Sequence, residues 1–242
     1  MVHTLPPWTS KWRMATIFGQ IDQGELAARL GSINTFDRRG DTIWMDDFES
    51  STLKWRMGDF GVDADVKISA DTAMMGDSCC KLTAGKGANG LASITRYIHP
   101  KILGKIGFEF SFTVNDDTKT VQGSIYHFDG TTEYTSLVTY NHSTSKLQYT
   151  DNDAGTVDLA VGYTLEDLLD TFHTMKIVID SSTKKPVRVM VDENSYDLSA
   201  YTAKENAGAG GERIQLAITH ISDHAAVKSI YVDNVILTQN EI

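Results

Sequence analysis

The sequence predicts an all-β protein: an antiparallel, jelly-roll-like β-sandwich preceded by an extended N-terminal arm with one short helix. Three observations lead there. From residue 42 onward, runs rich in β-branched and aromatic residues recur between turn residues. The clearest of these runs alternate apolar and polar side chains with a period of two. Helical patterning is scarce, and no repeat of solenoid or propeller length occurs.

The elements follow in chain order. In the leader, Asp22 and Glu25 form a capping-box pattern, Leu26 and Leu30 lie four apart, and Gly31 supplies a stop. This spacing predicts a helix over about residues 22–30. The boundary between arm and sandwich falls at 41/42, giving an arm of residues 1–41 and a sandwich of 42–242. GKGANG (85–90) spells a dinucleotide-type fingerprint, but the following LASITRYI reads as a strand, so the glycines are expected in a hairpin loop. In GFEFSFTV (107–114), Phe108, Phe110, Phe112 and Val114 share one face, with Glu109, Ser111 and Thr113 on the other. That is the pattern of a half-buried strand. GSIYHF, the turn Asp129-Gly130 and EYTSLVTY spell a hairpin. KLQYT and TVDLA flank a second turn at 151–155, and Thr164 before LEDLL opens at most one or two helical turns. MKIVID, VRVMV, RIQLAIT and SIYVDNVIL complete the strands.

Composition sets the outer limits. The 242 residues are 41% hydrophobic and 22% charged, values of a folded globular chain. A net charge of −10 argues against nonspecific partners such as nucleic acid or an anionic membrane. No run reaches the roughly 18 apolar residues of a membrane span. The N-terminus lacks the basic head and apolar core of a secretory signal, so synthesis in a cytoplasm without a signal peptide is expected. Cys79 and Cys80 are adjacent, would point to opposite faces of a strand, and are expected to be reduced. The first 45 residues hold five Lys or Arg and four Asp or Glu, so their charge of +1 leaves −11 for the remainder.

The arm is apolar for a solvent-exposed leader. Leu5, Trp8, Trp12, Ile17 and Phe18 are each worth about 1.5–3 kcal/mol when buried, and Pro6-Pro7 stiffens the chain between them. They are the expected docking residues, covered either by the chain's own sandwich or by another subunit of a homo-oligomer or lattice. Catalytic patterns are thin: there is no G-x-S-x-G, H-E-x-x-H or C-x-x-C, and the seven His are scattered singly. A non-enzymatic protein is expected. The RGD at 39–41 is expected to form ion pairs where the chain enters its first strand. Tyr126, His127, Tyr134 and Tyr140 fall on neighbouring predicted strands and are the candidates for a glycan-binding face, although alternation sets Tyr126 opposite His127.

The stretch FHTMKIVIDSSTKKPVRVMVDENSYDLS resembles the late hairpin of concanavalin A-like (laminin-G-like) jelly rolls, with Phe172-His173 opening a strand and Val191-Asp192-Glu193-Asn194 turning it. DDFES (46–50), ADTAMMGDSCCKLTAG and YVDNVIL (231–237) resemble the first, second and last segments of jelly-roll carbohydrate-binding modules. The likeness covers about residues 42–238. It implies a buried structural calcium held by Asp46, Asp47, Glu49 and Asp233, oxygen ligands of the kind Ca²⁺ takes. The E-x-D-x-x-E strand of hydrolases with this fold has no counterpart here. GSINTFDRRGDTIWMDDFES is also similar to the openings of uncharacterised sandwich proteins from bacteriophage and environmental sequences. Arm and leader together lead to the first functional expectation, a virion structural protein (a phage capsid decoration, head or tail component) located in the particle. The second expectation is a carbohydrate-binding module or lectin-like domain.

Overall fold

A computed structural model describes residues 39–98, 102–116, 118–168, 170–208, 211–222 and 227–242. The docking residues Leu5, Trp8, Trp12, Ile17 and Phe18 and the helix expected near 22–30 lie outside the described residues. The compact unit described here runs from Arg39 to Ile242. Its strands are β1 (Asp41–Asp46), β2 (Arg56–Val62), β3 (Asp65–Ser69), β4 (Cys79–Ala84), β5 (Lys86–Ile98), β6 (Lys105–Phe112), β7 (Thr118–Phe128) and β8 (Thr132–Asn141). They continue as β9 (Lys146–Asp151), β10 (Gly155–Val161), β11 (His173–Asp180), β12 (Lys185–Val191), β13 (Asn194–Asp197), β14 (Lys204–Ala207), β15 (Arg213–Ser222) and β16 (Lys228–Gln239).

The strands form two antiparallel sheets of eight. One runs β13-β12-β11-β6-β16-β4-β3, with β1 also on β16; the other runs β10-β9-β8-β7-β15-β5-β2, with β14 also on β8. Neighbours in the sheets are mostly distant in sequence, as in the expected all-β sandwich. The core lies between the sheets. Phe108, Phe110 and Phe112 of β6 touch in series, with centroids 5.3 and 5.7 Å apart, and face Val121 and Ile125 of β7 and Ile214, Leu216 and Ile218 of β15. Gly123 sits beneath them: a Cβ there would come within 2.7 Å of the Phe110 ring and 2.9 Å of Ile177.

The expected hairpin at Asp129-Gly130 joins β7 to β8 in unbroken register from Thr120↔Asn141 to Phe128↔Glu133. The Asp129 carboxylate accepts the N–H groups of Thr131 and Thr132, and Gly130 takes φ +100°.

Three expectations are corrected. First, β6 is buried on both faces: Phe108, Phe110 and Phe112 enter the core, and on the opposite face Glu109 and Ser111 are buried too, Glu109 not standing alone. Glu109 lies 3.7 Å from Lys176 across the β6–β11 pair, and Lys176 reaches Glu241 at 2.8 Å. Second, Thr164–Leu168 is not helical: the backbone is drawn into tertiary bonds, Leu165 N–H to the Tyr140 hydroxyl and Glu166 C=O to His173. Third, GKGANG is not a hairpin loop. Gly85 carries the chain from β4 in one sheet to β5 in the other, passing so close to Gly61 that a Cβ would meet its backbone at 2.5 Å. Cys79 and Cys80 are buried and unlinked, and burial pushes the Cys79 thiol up to about 12.

Candidate functional site

The open face of the second sheet is built by alternation. Val121 and Ile125 enter the core, and Gly123 faces Phe110, so Gln122, Ser124, Tyr126 and Phe128 face away from the other sheet. The same logic turns Gln215, Ala217 and Thr219 outward on β15, opposite core residues Ile214, Leu216 and Ile218. On β5, Ala92 and Ile94 point inward, leaving Ser93, Thr95 and Tyr97 outward.

Register then assembles a row across four strands. Gln215 lies opposite Tyr97 on one side and Tyr126 on the other, and Tyr126 lies opposite Thr135. Strand spacing puts the two tyrosines about 10 Å apart, with an amide between them. The adjoining row is small: Thr95, Ala217 and Ser124, joined by Arg56 of β2 at its end. Ala217 and Ser124, though outward, are buried at 5% and 3% exposure, the floor of a trough between larger side chains.

Cations gather at the Tyr97 end. Arg56 donates to the Tyr97 hydroxyl at 3.0 Å, and its guanidinium carbon lies 5.5 Å from the ring centroid. Arg213 lies 5.5 Å from the same centroid and 3.7 Å from that of Phe128, its register partner. Among the described outward positions of β2, β5, β15 and β7 there is no Asp or Glu.

Of the four residues expected to form a glycan face, only Tyr126 projects from it. His127 and Tyr140 are fully buried in the inward direction, and Tyr140 donates or accepts at His142 Nδ1 (3.2 Å) and accepts Leu165 N–H (3.0 Å). Tyr134, opposite His127, packs on the His127 ring at 6.1 Å and lies under the Lys184 ammonium at 4.5 Å. The physical reason is the period of two: residues 126 and 127 cannot share a face. Tyr97, Arg56, Arg213 and Gln215 were missed because each is unremarkable in its own strand. Only the pairing of three strands far apart in sequence brings them together.

The expected calcium ligands do not converge as four. Asp46 accepts the indole N–H of Trp55 at 3.0 Å and the Phe48 N–H at 3.2 Å. Asp47 is half-buried and accepts the N–H of Glu49. Glu49 and Asp233 do meet one segment: Glu49 accepts the N–H groups of Asp77 and Ser78, and Asp233 those of Met74 and Met75. Burial pushes the Asp233 carboxyl up to about 6 against the pull of these N–H donors. No group of three or more His, Cys, Asp or Glu among the described residues is disposed to hold a metal. The four carboxylates therefore form no single cation cluster among the described residues; Glu49 and Asp233 fasten the segment before β4 directly.

No family model matches the chain. No curated protein matches it in sequence. Solved structures share its fold. It is similar to the cellulose induced protein Cip1 at 14% identity and a TM-score of 0.55, over 82% of this chain and 98% of that one. It is similar to the alginate lyase vAL-1 from Chlorella virus at 9% identity and a TM-score of 0.54, over 82% and 100% of the two chains. A sialidase matches at 11% identity and a TM-score of 0.50 over 84% of this chain, which spans 19% of that protein. At these identities the likeness is one of fold alone: the chain is an all-β, jelly-roll-like sandwich.

Proposed function

We propose that this domain binds carbohydrate on the open face of its second sheet, across the row Tyr97–Gln215–Tyr126. The single observation that carries the reading is that row: two outward tyrosines with an amide between them, on a face that also carries Thr95, Ser124 and Thr219. Aromatic rings give a saccharide apolar ring faces to lie on, and flanking amides and hydroxyls take its hydroxyl groups. The spacing is close to one disaccharide repeat, so a chain crossing the strands would meet both rings. Fold likeness to an alginate lyase and a sialidase supports the reading, since both names denote proteins acting on saccharides. The reading is one of binding: the described outward positions of β2, β5, β15 and β7 carry no carboxylate of the kind that flanks a bond in most hydrolases, and on β8 Glu133 accepts from Thr135 and Asn206.

A glycan array followed by calorimetry tests it. Tyr126→Ala should weaken the best-bound oligosaccharide about tenfold while the chain still folds, because the side chain lies on the outer face and not in the core between the sheets. Unchanged affinity in Tyr126→Ala and in Tyr97→Ala would contradict it.

A further inference from the structure

We propose that the Tyr97 end of this face holds the carboxylate of an acidic saccharide, a uronate unit, between Arg56 and Arg213. This rests on the carbohydrate reading above and names its ligand class. The chain is acidic, at −10, yet two guanidiniums are gathered around one tyrosine ring, both with their central carbon 5.5 Å from its centroid. Neither arginine has an ion pair among the described residues, and the described outward positions of β2, β5, β15 and β7 carry no carboxylate; Glu133 of β8, opposite Phe128, accepts instead from Thr135 and Asn206.

Like charges placed side by side without a counter-ion repel, and a bound anion removes that repulsion. Both side chains are already oriented. Arg56 is held by its bond to the Tyr97 hydroxyl, and Arg213 is stacked on Phe128 and bonded to the Gly211 carbonyl at 3.1 Å. A guanidinium fixed through one edge or face still presents its remaining N–H donors, and its planar fork matches a carboxylate in two parallel hydrogen bonds. Little side-chain freedom is then lost on binding. A neutral hexose offers this end only hydroxyls, and the electrostatic preference disappears. A uronate unit presents a ring for Tyr97 and, at its edge, an anion for the two arginines.

The test is calorimetry of the full chain with three matched pairs of hexasaccharides of gluco, manno and galacto configuration. Each pair comprises a neutral oligomer and its counterpart oxidised to the carboxylate at C6. At least one uronate member should bind about tenfold more tightly than its neutral partner at low salt, and the advantage should shrink at high salt. Arg56→Gln and Arg213→Gln should each remove about tenfold from uronate binding while leaving neutral binding within about twofold. The salt dependence of the unmodified chain gives the same answer should a variant fold poorly. Equal affinity within every pair, or arginine variants that weaken neutral and acidic oligomers alike, would overturn the acidic-saccharide inference and leave the carbohydrate reading standing. Binding of no member of any pair would overturn both.

Discussion

His173 and His220 are both buried, and their surroundings give them opposite pH behaviour. The His173 ring faces two acceptors, the Asp192 carboxylate at 2.9 Å and the Glu166 carbonyl at 3.0 Å. Burial disfavours its charge, but Asp192 and the Glu166 carbonyl outweigh it, and the net effect holds the ring above its ordinary range. His220 offers Nδ1 to the Leu82 carbonyl at 3.2 Å, while its Nε2 meets no partner among the described residues. Burial pushes it down to about 4. The signs follow from linkage. The stability His173 adds is fully present below 6.5, its ordinary value, and is lost as pH rises through its raised folded value. That of His220 is present above 6.5 and is lost as pH falls toward 4, an effect of roughly 3 kcal/mol. Urea unfolding across pH should show the acid limb flattened in His220→Gln, which keeps a donor for Leu82 without titrating, with the alkaline limb unchanged. An acid limb of undiminished slope in that variant would contradict the assignment. Of these two histidines, the sequence marked His173 through the motif around Phe172 and left His220 anonymous, since no local pattern distinguishes a buried neutral ring on a strand.

Among the elements, β7 joins fold to function: its inward residues pack the core while its outward residues make the open face. Gly123 is the position where the two demands meet most closely. Gly123→Ala would press a methyl against the Phe110 ring and Ile177 from within, and should cost about 1–3 kcal/mol in unfolding free energy. Wild-type stability in that variant would show that the sheets are not packed this closely. The β7–β8 hairpin was legible because its turn chemistry and alternation agree. The edge strands were not. β2 reads RMGDFGV and exposes Met57, Phe60 and Val62, and β14 reads KENA with every residue exposed, so neither carries the one-sided apolar pattern that marks a strand. The residues after Thr164 misled for the complementary reason: a local helical pattern yielded to hydrogen bonds that come from distant strands.

At the scale of the molecule, the fold class was written in periodicity, but the site was not. Periodicity tells which residues share a face of one strand; it does not tell which strands lie side by side. Tyr97, Gln215 and Tyr126 become neighbours only through the order β5-β15-β7, and that order is set by the global topology. The two acidic stretches that resemble calcium-binding segments do lie side by side, because β1 pairs with β16 and Asp46 lies opposite Val235. Their carboxylates accept the indole and backbone N–H groups around β1 and the segment before β4. Of the two functions expected from the sequence, the virion role rests on arm residues outside the described region, and the proposed carbohydrate reading rests on the row Tyr97–Gln215–Tyr126.

The most direct measurement is amide hydrogen exchange on the full chain with and without its best-bound oligosaccharide. Exchange should slow along β5, β15 and β7, around Tyr97, Gln215 and Tyr126, with β11 and β12 of the opposite sheet unaffected. Protection confined to that opposite sheet, or to the segment before β4, would contradict it.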